Sequence, residues 1–131
     1  MKLSLAQALA TAMIEKARSG GFKPVAVAVL DERGALRAVL VEDGCSLRRA
    51  EVAIAKANAT LAMGETTRDL AAKPAHFLAG IAHIVGGMVP TPGGVFVRDA
   101  SGAVIGAVGV SGESSDNDER IALAAIDAVS A

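Results

Sequence analysis

Apolar residues recur at helical spacing in three segments of this chain. The first predicted helix runs from a cap at Ser4 to about Arg18, the second from a cap at Ser46 to about Met63, and the third from about Ser115 to Val129. Glycines follow the first two segments, which is typical of helix ends. The apolar stripe of the second helix is predicted to consist of Leu47, Ala50, Ile54, Ala57 and Leu61.

Continuous apolar runs predict two hairpins between these helices. The run from Val25 to Leu30 has no polar alternation, so we expect a strand that is covered on both faces. The chain turns at Asp31 to Gly34 and returns from Ala35 to Glu42. A second hairpin is predicted from Val95 to Asp99 and from Val104 to Val110.

The segment between the second helix and the second hairpin is the hardest to assign. Thr67 can cap a short helix from Arg68 to Lys73, and His76 to Ala79 is compatible with another helical turn. The short apolar run from Ile81 to Val85 is compatible with a further strand. Because hairpins rather than strand–helix–strand units separate the helices, we predict an α/β protein of the α+β kind, with an antiparallel sheet flanked by helices.

Composition and charge exclude several classes of function. At 131 residues the chain is long enough for one domain with one core, and we assign residues 1–131 to it. A net charge of −1 without a basic stripe argues against a nucleic-acid partner. No apolar run approaches the roughly 20 residues that span a membrane, and no secretory signal is evident. We therefore expect a cytoplasmic protein with no membrane partner.

Several of these segments together resemble the GlcG/HbpS-like family, also called the haem-degrading domain family, which includes the C-terminal domain of PduO-type corrinoid adenosyltransferases. The segments that carry the resemblance are the N-terminal helix, Val25 to Gly34, Ala53 to Ala57 with Thr66-Thr67, Pro92-Gly93-Gly94, Gly106 to Gly112, and Asp118-Glu119. The resemblance implies a profilin-like three-layer α/β/α sandwich around about five antiparallel strands. It also implies a homo-oligomer, a dimer or an octamer, and a haem-binding function in some members.

Lys56 and Glu119 are the candidate catalytic residues. Lys56 lies among alanines in the middle of a helix, so it is either a solvated side chain or, if buried, an anion anchor with a lowered pKa. Asp118 is explained by the start of the last helix, where with Ser115 it approximates a capping box, and this leaves Glu119 free. A pair of Lys56 and Glu119 in one pocket would supply acid/base chemistry.

Candidate ligand-binding residues surround the second hairpin. Pro92, Gly93 and Gly94 either expose backbone N–H groups to a ligand or permit a tight turn, and Arg98 could clamp a carboxylate. Ser111 and Asp118 complete this set.

Haem is the candidate cofactor, although the sequence leaves the cofactor unknown. His76 and His83 are the only histidines and therefore the candidate iron ligands, with structural roles as the alternative. Their spacing matches no zinc motif, and the lone Cys45 excludes an internal disulfide, so no metal site is predicted.

Two classes of function remain, and we favour the first. It is an oligomeric protein that binds a small-molecule ligand, either haem or a small organic acid. The alternative is a cofactor-free enzyme of small-acid or aromatic catabolism, an isomerase, hydratase or hydrolase that uses Lys56 and Glu119. A third hypothesis is an accessory subunit whose alanine-rich helices form interfaces.

Overall fold

A computed structural model describes residues 1–130 as helices packed on both faces of one sheet. The helices are α1 (Leu3–Ser19), α2 (Arg49–Met63), α3 (Thr67–Ala71), α4 (Ala75–Ile81) and α5 (Ser115–Ser130). The strands are β1 (Ala26–Asp31), β2 (Leu36–Val41), β3 (Gly94–Arg98) and β4 (Val104–Ser111). The three long helices and both hairpins that the sequence predicted are present. None of the helices within residues 1–130 is long and apolar enough to cross a membrane.

The sheet is antiparallel throughout, in the order β2-β1-β4-β3. The two hairpins join through their inner strands, so that Ala26 of β1 pairs with Val41 of β2 on one side and with Ser111 of β4 on the other. All six residues of β1 are buried, as the absence of polar alternation indicated. The predicted α+β class is confirmed.

The sheet formed by residues 1–130 has four strands rather than about five, because Ile81 to Val85 is not a strand. Ile81 is the last residue of α4, and its side chain is buried in a small apolar cluster. The chain then turns, and Gly86 and Gly87 follow with φ of 92° and 72°, which interrupts any extended run. Val85 is 94% exposed, so its apolar character marks surface rather than core.

The two faces of the sheet are covered differently. Helices α1 and α5 cover the first face, where alternate valines of β1, β3 and β4 join Leu9, Met13 and Ile121 in the largest apolar cluster. Helix α2 covers the second face, where the apolar clusters are smaller.

Helix α2 lies close to the sheet because one row of strand residues beneath it carries little or no side chain. Ala28, Gly109 and Gly94 are register partners across β1, β4 and β3. A Cβ atom on Gly109 would overlap the carbonyl oxygen of Ala53, and one on Gly94 would overlap that of Lys56. These two glycines therefore set the distance between helix and sheet.

The buried face of α2 differs from the predicted apolar stripe. Leu47 precedes the helix and is 83% exposed. The residues that α2 buries are small or polar: Ala53, Ala55, Lys56, Ala57, Ala59 and Thr60. Small side chains are required because a stripe of leucines could not approach the glycines of the sheet so closely.

The predicted caps of the first two helices are wrong. Helix α1 begins before Ser4, after Lys2, and has no side-chain cap. Helix α2 begins at Arg49, and the hydroxyl of Ser46 accepts a hydrogen bond from the Arg49 side chain instead of capping the backbone.

The caps of the shorter and last helices are shifted by one residue. Thr66 rather than Thr67 caps α3, since its hydroxyl accepts from the N–H of Asp69 at 3.3 Å. Ser114 rather than Ser115 occupies the corresponding position at α5 and accepts from the N–H of Asn117 at 3.2 Å.

Candidate functional site

Lys56 is buried between α2 and the sheet, with only 2% of its surface exposed. Its ammonium group donates to the carbonyl oxygen of Val110 at 2.9 Å and to Oδ2 of Asp118 at 3.0 Å. The side chain thereby connects α2 with β4 and with the first turns of α5. The solvated alternative for Lys56 is excluded.

Asp118 is the partner of Lys56, and it is equally inaccessible, at 1% exposed. Its second oxygen accepts from the N–H of Glu113 at 2.9 Å. Burial lowers the pKa of Lys56 and raises the pKa of Asp118, while the attraction within the pair opposes both changes. Such a site strongly disfavours a single charge without its counter-ion.

Glu119 does not contact Lys56, so the predicted pairing of these two candidate catalytic residues is wrong. Each helical residue is rotated by about 100° from the one before it, and this directs Glu119 away from the side chain of Asp118. Glu119 accepts from Nε of Arg68 at 2.8 Å, and Asp116 accepts from Nη2 of the same arginine at 2.6 Å. From sequence, Asp118 already had a role in capping the last helix. Glu119 was therefore chosen as the partner of Lys56, although Asp118 is the counter-ion.

Of the predicted residues Pro92, Gly93 and Gly94, the two glycines lie against Lys56 and make room for it. Pro92 is half-buried. Gly93 has φ of 131°, and a Cβ atom there would lie 2.7 Å from the Val110 carbonyl oxygen and 2.9 Å from the Lys56 ammonium. The N–H of Gly94 donates to the hydroxyl of Thr67 at 2.8 Å. These glycines serve packing around the buried pair.

Arg98 lies at the opposite end of β3 from Gly94 and does not join the other candidates. Its guanidinium donates to the carbonyl of Gly102 at 3.0 Å and lies over the ring of Phe96, 5.1 Å from the centroid. Its position fits stabilisation of the hairpin end.

Ser111 is fully buried beside Val110, the residue whose carbonyl Lys56 binds. Its hydroxyl accepts from Nη1 of Arg49 at 3.4 Å, while Nε of Arg49 donates to the hydroxyl of Ser46 at 3.1 Å. Sequence reasoning missed Arg49, although its place beside Arg48 at the start of α2 was visible.

A small crevice borders Arg49, and we call it the cationic crevice. Its volume is about 190 Å³. Burial raises the pKa of the Cys45 thiol in its wall, which favours the neutral form of the thiol. The crevice is lined by Lys23, Pro24, Gly44, Cys45, Ser46, Arg49 and Gly112.

A larger cavity lies between α2 and the segment 82–89, and we call it the apolar cavity. Its volume is about 480 Å³. The segment is held to α2 by a hydrogen bond from Asn58 Nδ2 to the Gly87 carbonyl at 2.7 Å and by one from the Val89 N–H to the Ala55 carbonyl at 3.4 Å. The cavity is lined by Arg48, Glu51, Val52, Ile54, Ala55, Ala82, Gly86, Gly87, Met88 and Val89.

The two histidines are exposed and lie apart from the buried pair. His76 is in α4, and His83 follows Ala82, which lines the apolar cavity, but His83 is not itself one of the lining residues. Within residues 1–130, no group of three or more His, Cys, Asp or Glu side chains is arranged to hold a metal ion.

Three solved structures are similar to this one over nearly the whole chain. Protein ORFY of Klebsiella pneumoniae is 28% identical, with a TM-score of 0.88, and the match covers 100% of this chain and 91% of that one. The PduOC:heme complex is 30% identical, with a TM-score of 0.85 and coverage of 98% and 94%. A double mutant of HbpS from Streptomyces reticuli is 31% identical, with a TM-score of 0.85 and coverage of 98% and 86%.

The family comparison agrees with these structural matches. No functionally curated protein matches the chain. The profile described as haem degrading protein, HbpS-like, matches residues 1–127. The fold and the profile lead to one conclusion: this chain belongs to the HbpS-like family.

Proposed function

We propose that this protein binds a small molecule in the apolar cavity, and that haem is the ligand. The observation that carries the proposal is the cavity itself, whose volume of about 480 Å³ lies within the range of small-molecule sites. Val52, Ala55 and Met88 offer apolar surface to a flat ring. Arg48 is paired with Glu51 of the same lining, and it is the cation that would exchange this partner for a carboxylate of the ligand.

The cavity and its neighbouring residues offer the side chains that haem iron binds. Iron takes histidine or methionine as an axial ligand in many proteins. His83 is exposed and adjoins the lining residue Ala82, and Met88 contributes a thioether to the wall. His83 would be the residue that holds the iron, because Met88 is only 6% exposed and packs in the cluster around Ile81. When bound, haem would bring its iron chemistry to this cavity.

The relatives support this ligand class. One of the similar structures is a complex of PduOC with haem, at 30% identity over 98% of this chain, and the family profile is that of a haem-degrading protein.

The acid/base alternative gains no support from the geometry. The Lys56 ammonium is occupied by the Val110 carbonyl and by Asp118, and Glu119 is occupied by Arg68. Neither Lys56 nor Asp118 lines the two cavities described above. A substrate would have no access to the predicted catalytic pair.

Exposed apolar side chains support the assembly of several copies of the chain. Leu36, Leu40 and Val41 of the edge strand β2 are 50%, 43% and 54% exposed, and Leu47 is 83% exposed. Burial of such residues in a homo-oligomer would remove apolar area from water. Size-exclusion chromatography with light scattering tests this, and a monomer at micromolar concentration contradicts it.

A haemin titration tests the ligand proposal, with the Soret absorbance band as the signal. We expect saturable binding of one haem per chain. Ala55→Leu fills the cavity and should abolish binding, because Ala55 lies in its wall. His83→Ala should weaken binding or shift the band.

His76→Ala is the matched control, since His76 is the other histidine, is also exposed and lies in α4 outside the cavity lining. Equal effects of the two histidine variants would contradict the assignment of His83. Unchanged affinity in Ala55→Leu would contradict the cavity as the site.

A further inference from the structure

The cationic crevice has the composition of an anion site, and it is separate from the apolar cavity. Of the residues that line it, Lys23 and Arg49 carry positive charge and none carries negative charge. We infer that the crevice binds a small carboxylate, held by the guanidinium of Arg49 and the ammonium of Lys23. This site goes beyond the proposed haem function, because it shares no lining residue with the apolar cavity.

Arg49 is available for such a ligand. Within residues 1–130, its side chain donates hydrogen bonds only to the hydroxyls of Ser46 and Ser111, and it forms no ion pair with a carboxylate. Arg48 beside it, in contrast, is paired with Glu51. A guanidinium that contacts only hydroxyls can still form the strong charge-assisted hydrogen bonds that a carboxylate offers.

The acidic groups around the crevice are occupied elsewhere. Asp118 is held by Lys56 and by the N–H of Glu113. Glu113 itself accepts from the N–H groups of Lys23 and Ser114.

The acidic groups before Cys45 do not fill the crevice either. Glu42 is paired with Arg18 and accepts from the N–H of Val25 at 2.9 Å. Asp43 is exposed and is absent from the lining. An incoming anion therefore meets two cationic side chains whose neighbouring carboxylates are already engaged.

Two further features favour an anion at this place. Ser46 and Arg49 lie at the N-terminal end of α2, where the helix dipole is positive, and no side chain caps that end. In its neutral form, the thiol of Cys45 adds no repulsion.

The size of the crevice limits the ligand. A volume of about 190 Å³ corresponds to about six water molecules at roughly 30 Å³ each. A carboxylate of four to about seven non-hydrogen atoms, such as acetate, oxalate or malonate, fits this space.

Cys45 is the only cysteine of the chain, so its alkylation reports on the crevice alone. Iodoacetamide, which is uncharged, is added to the protein with increasing oxalate, and the modified fraction is measured by mass spectrometry. Sodium chloride at equal ionic strength is the salt control, and inorganic phosphate is the comparison anion. We expect saturable protection by oxalate that chloride does not give, and weaker protection by phosphate, because the proposed ligand is a planar carboxylate.

Arg49→Gln removes the main contact, and we expect the oxalate affinity to fall by about tenfold or more, as for the loss of a charge-assisted hydrogen bond. Arg48→Gln is the matched control, because Arg48 lines the apolar cavity instead. Lys23→Gln provides a second test should Arg49→Gln fold poorly. Calorimetric titration of oxalate gives a readout that is independent of the thiol.

Protection that chloride reproduces, or equal oxalate affinity in the wild type and Arg49→Gln, would overturn the proposal. Because haemin binding is followed separately through the Soret band, failure of one site can be distinguished from failure of the other.

Discussion

The two faces of the sheet achieve burial in opposite ways. On the face covered by α1 and α5, valines of the strands meet Leu9, Met13 and Ile121, so the core is made of aliphatic side chains. On the face covered by α2, the helix backbone lies directly over Gly94 and Gly109. The first face removes apolar carbon from water, and the second brings backbones together by omitting side chains.

This difference indicates where function can be located. Both cavities described above border α2, and the one buried ion pair of residues 1–130 lies beneath it. The large cluster under α1 and α5 consists of aliphatic side chains, and α5 contributes Asp118 at its first turn to the pair with Lys56. The aliphatic core under α1 and α5 thus stabilises the fold, while the cavities and the buried charges lie beside α2.

The largest effect is expected from breaking the ion pair under α2. Lys56→Met leaves the carboxylate of Asp118 buried with only the Glu113 N–H as partner, which should lower the free energy of unfolding by about 3 to 5 kcal/mol. Urea denaturation measures this. The double variant with Asp118→Asn should lose less than the sum of the two single variants, because the unpaired charge is removed.

A Lys56→Met variant within about 1 kcal/mol of the wild type would contradict this prediction. The buried ion pair would then contribute little to the stability of the face under α2.

The next effect concerns the glycines that set the height of α2. Gly109→Ala places a methyl group against the carbonyl of Ala53, and we expect a loss of about 3 kcal/mol from forced displacement of the helix. Gly80→Ala in α4 is the control, since nothing lies within 4 Å of its Cβ position and alanine is the better helix former. Thermal or urea unfolding distinguishes them, and equal stability of the two variants would show that α2 can move away from the sheet.

The smallest effect on stability is expected when an alanine is replaced by leucine on each of the two faces. Ala10→Leu enlarges a residue that is 1% exposed in the packed cluster of α1, and about 1 to 2 kcal/mol should be lost through overpacking. Ala55→Leu extends into the apolar cavity and should stay within about 0.5 kcal/mol of the wild type. Equal losses in urea denaturation would mean that both faces are packed to the same density.

The order of elements could be read from the sequence because local signals were strong. Gly34 supports the first hairpin turn with φ of 81°, and Gly64 ends α2 with φ of 71°. The apolar run of β1 correctly indicated a strand covered on both faces.

The orientation of α2 could not be read in the same way. The prediction of Ala57 as a buried residue is confirmed, but Leu47, Ile54 and Leu61 are not among the buried residues, because glycines of the sheet lie opposite the helix and it buries small side chains. That fact depends on strand register between Gly94 and Gly109, which is a property of the folded sheet. The choice between Asp118 and Glu119 as the partner of Lys56 likewise depends on how α5 is rotated against β4.

The order of the strands also has a consequence for how the chain folds. Each hairpin closes through residues that are near in sequence, but the joint between β1 and β4 pairs Ala26 with Ser111, from opposite ends of the chain. Closing so long a loop costs entropy before any pairing compensates for it. We therefore expect the two hairpins to form early and their union to limit the folding rate, with the centre of the sheet as the last part to assemble.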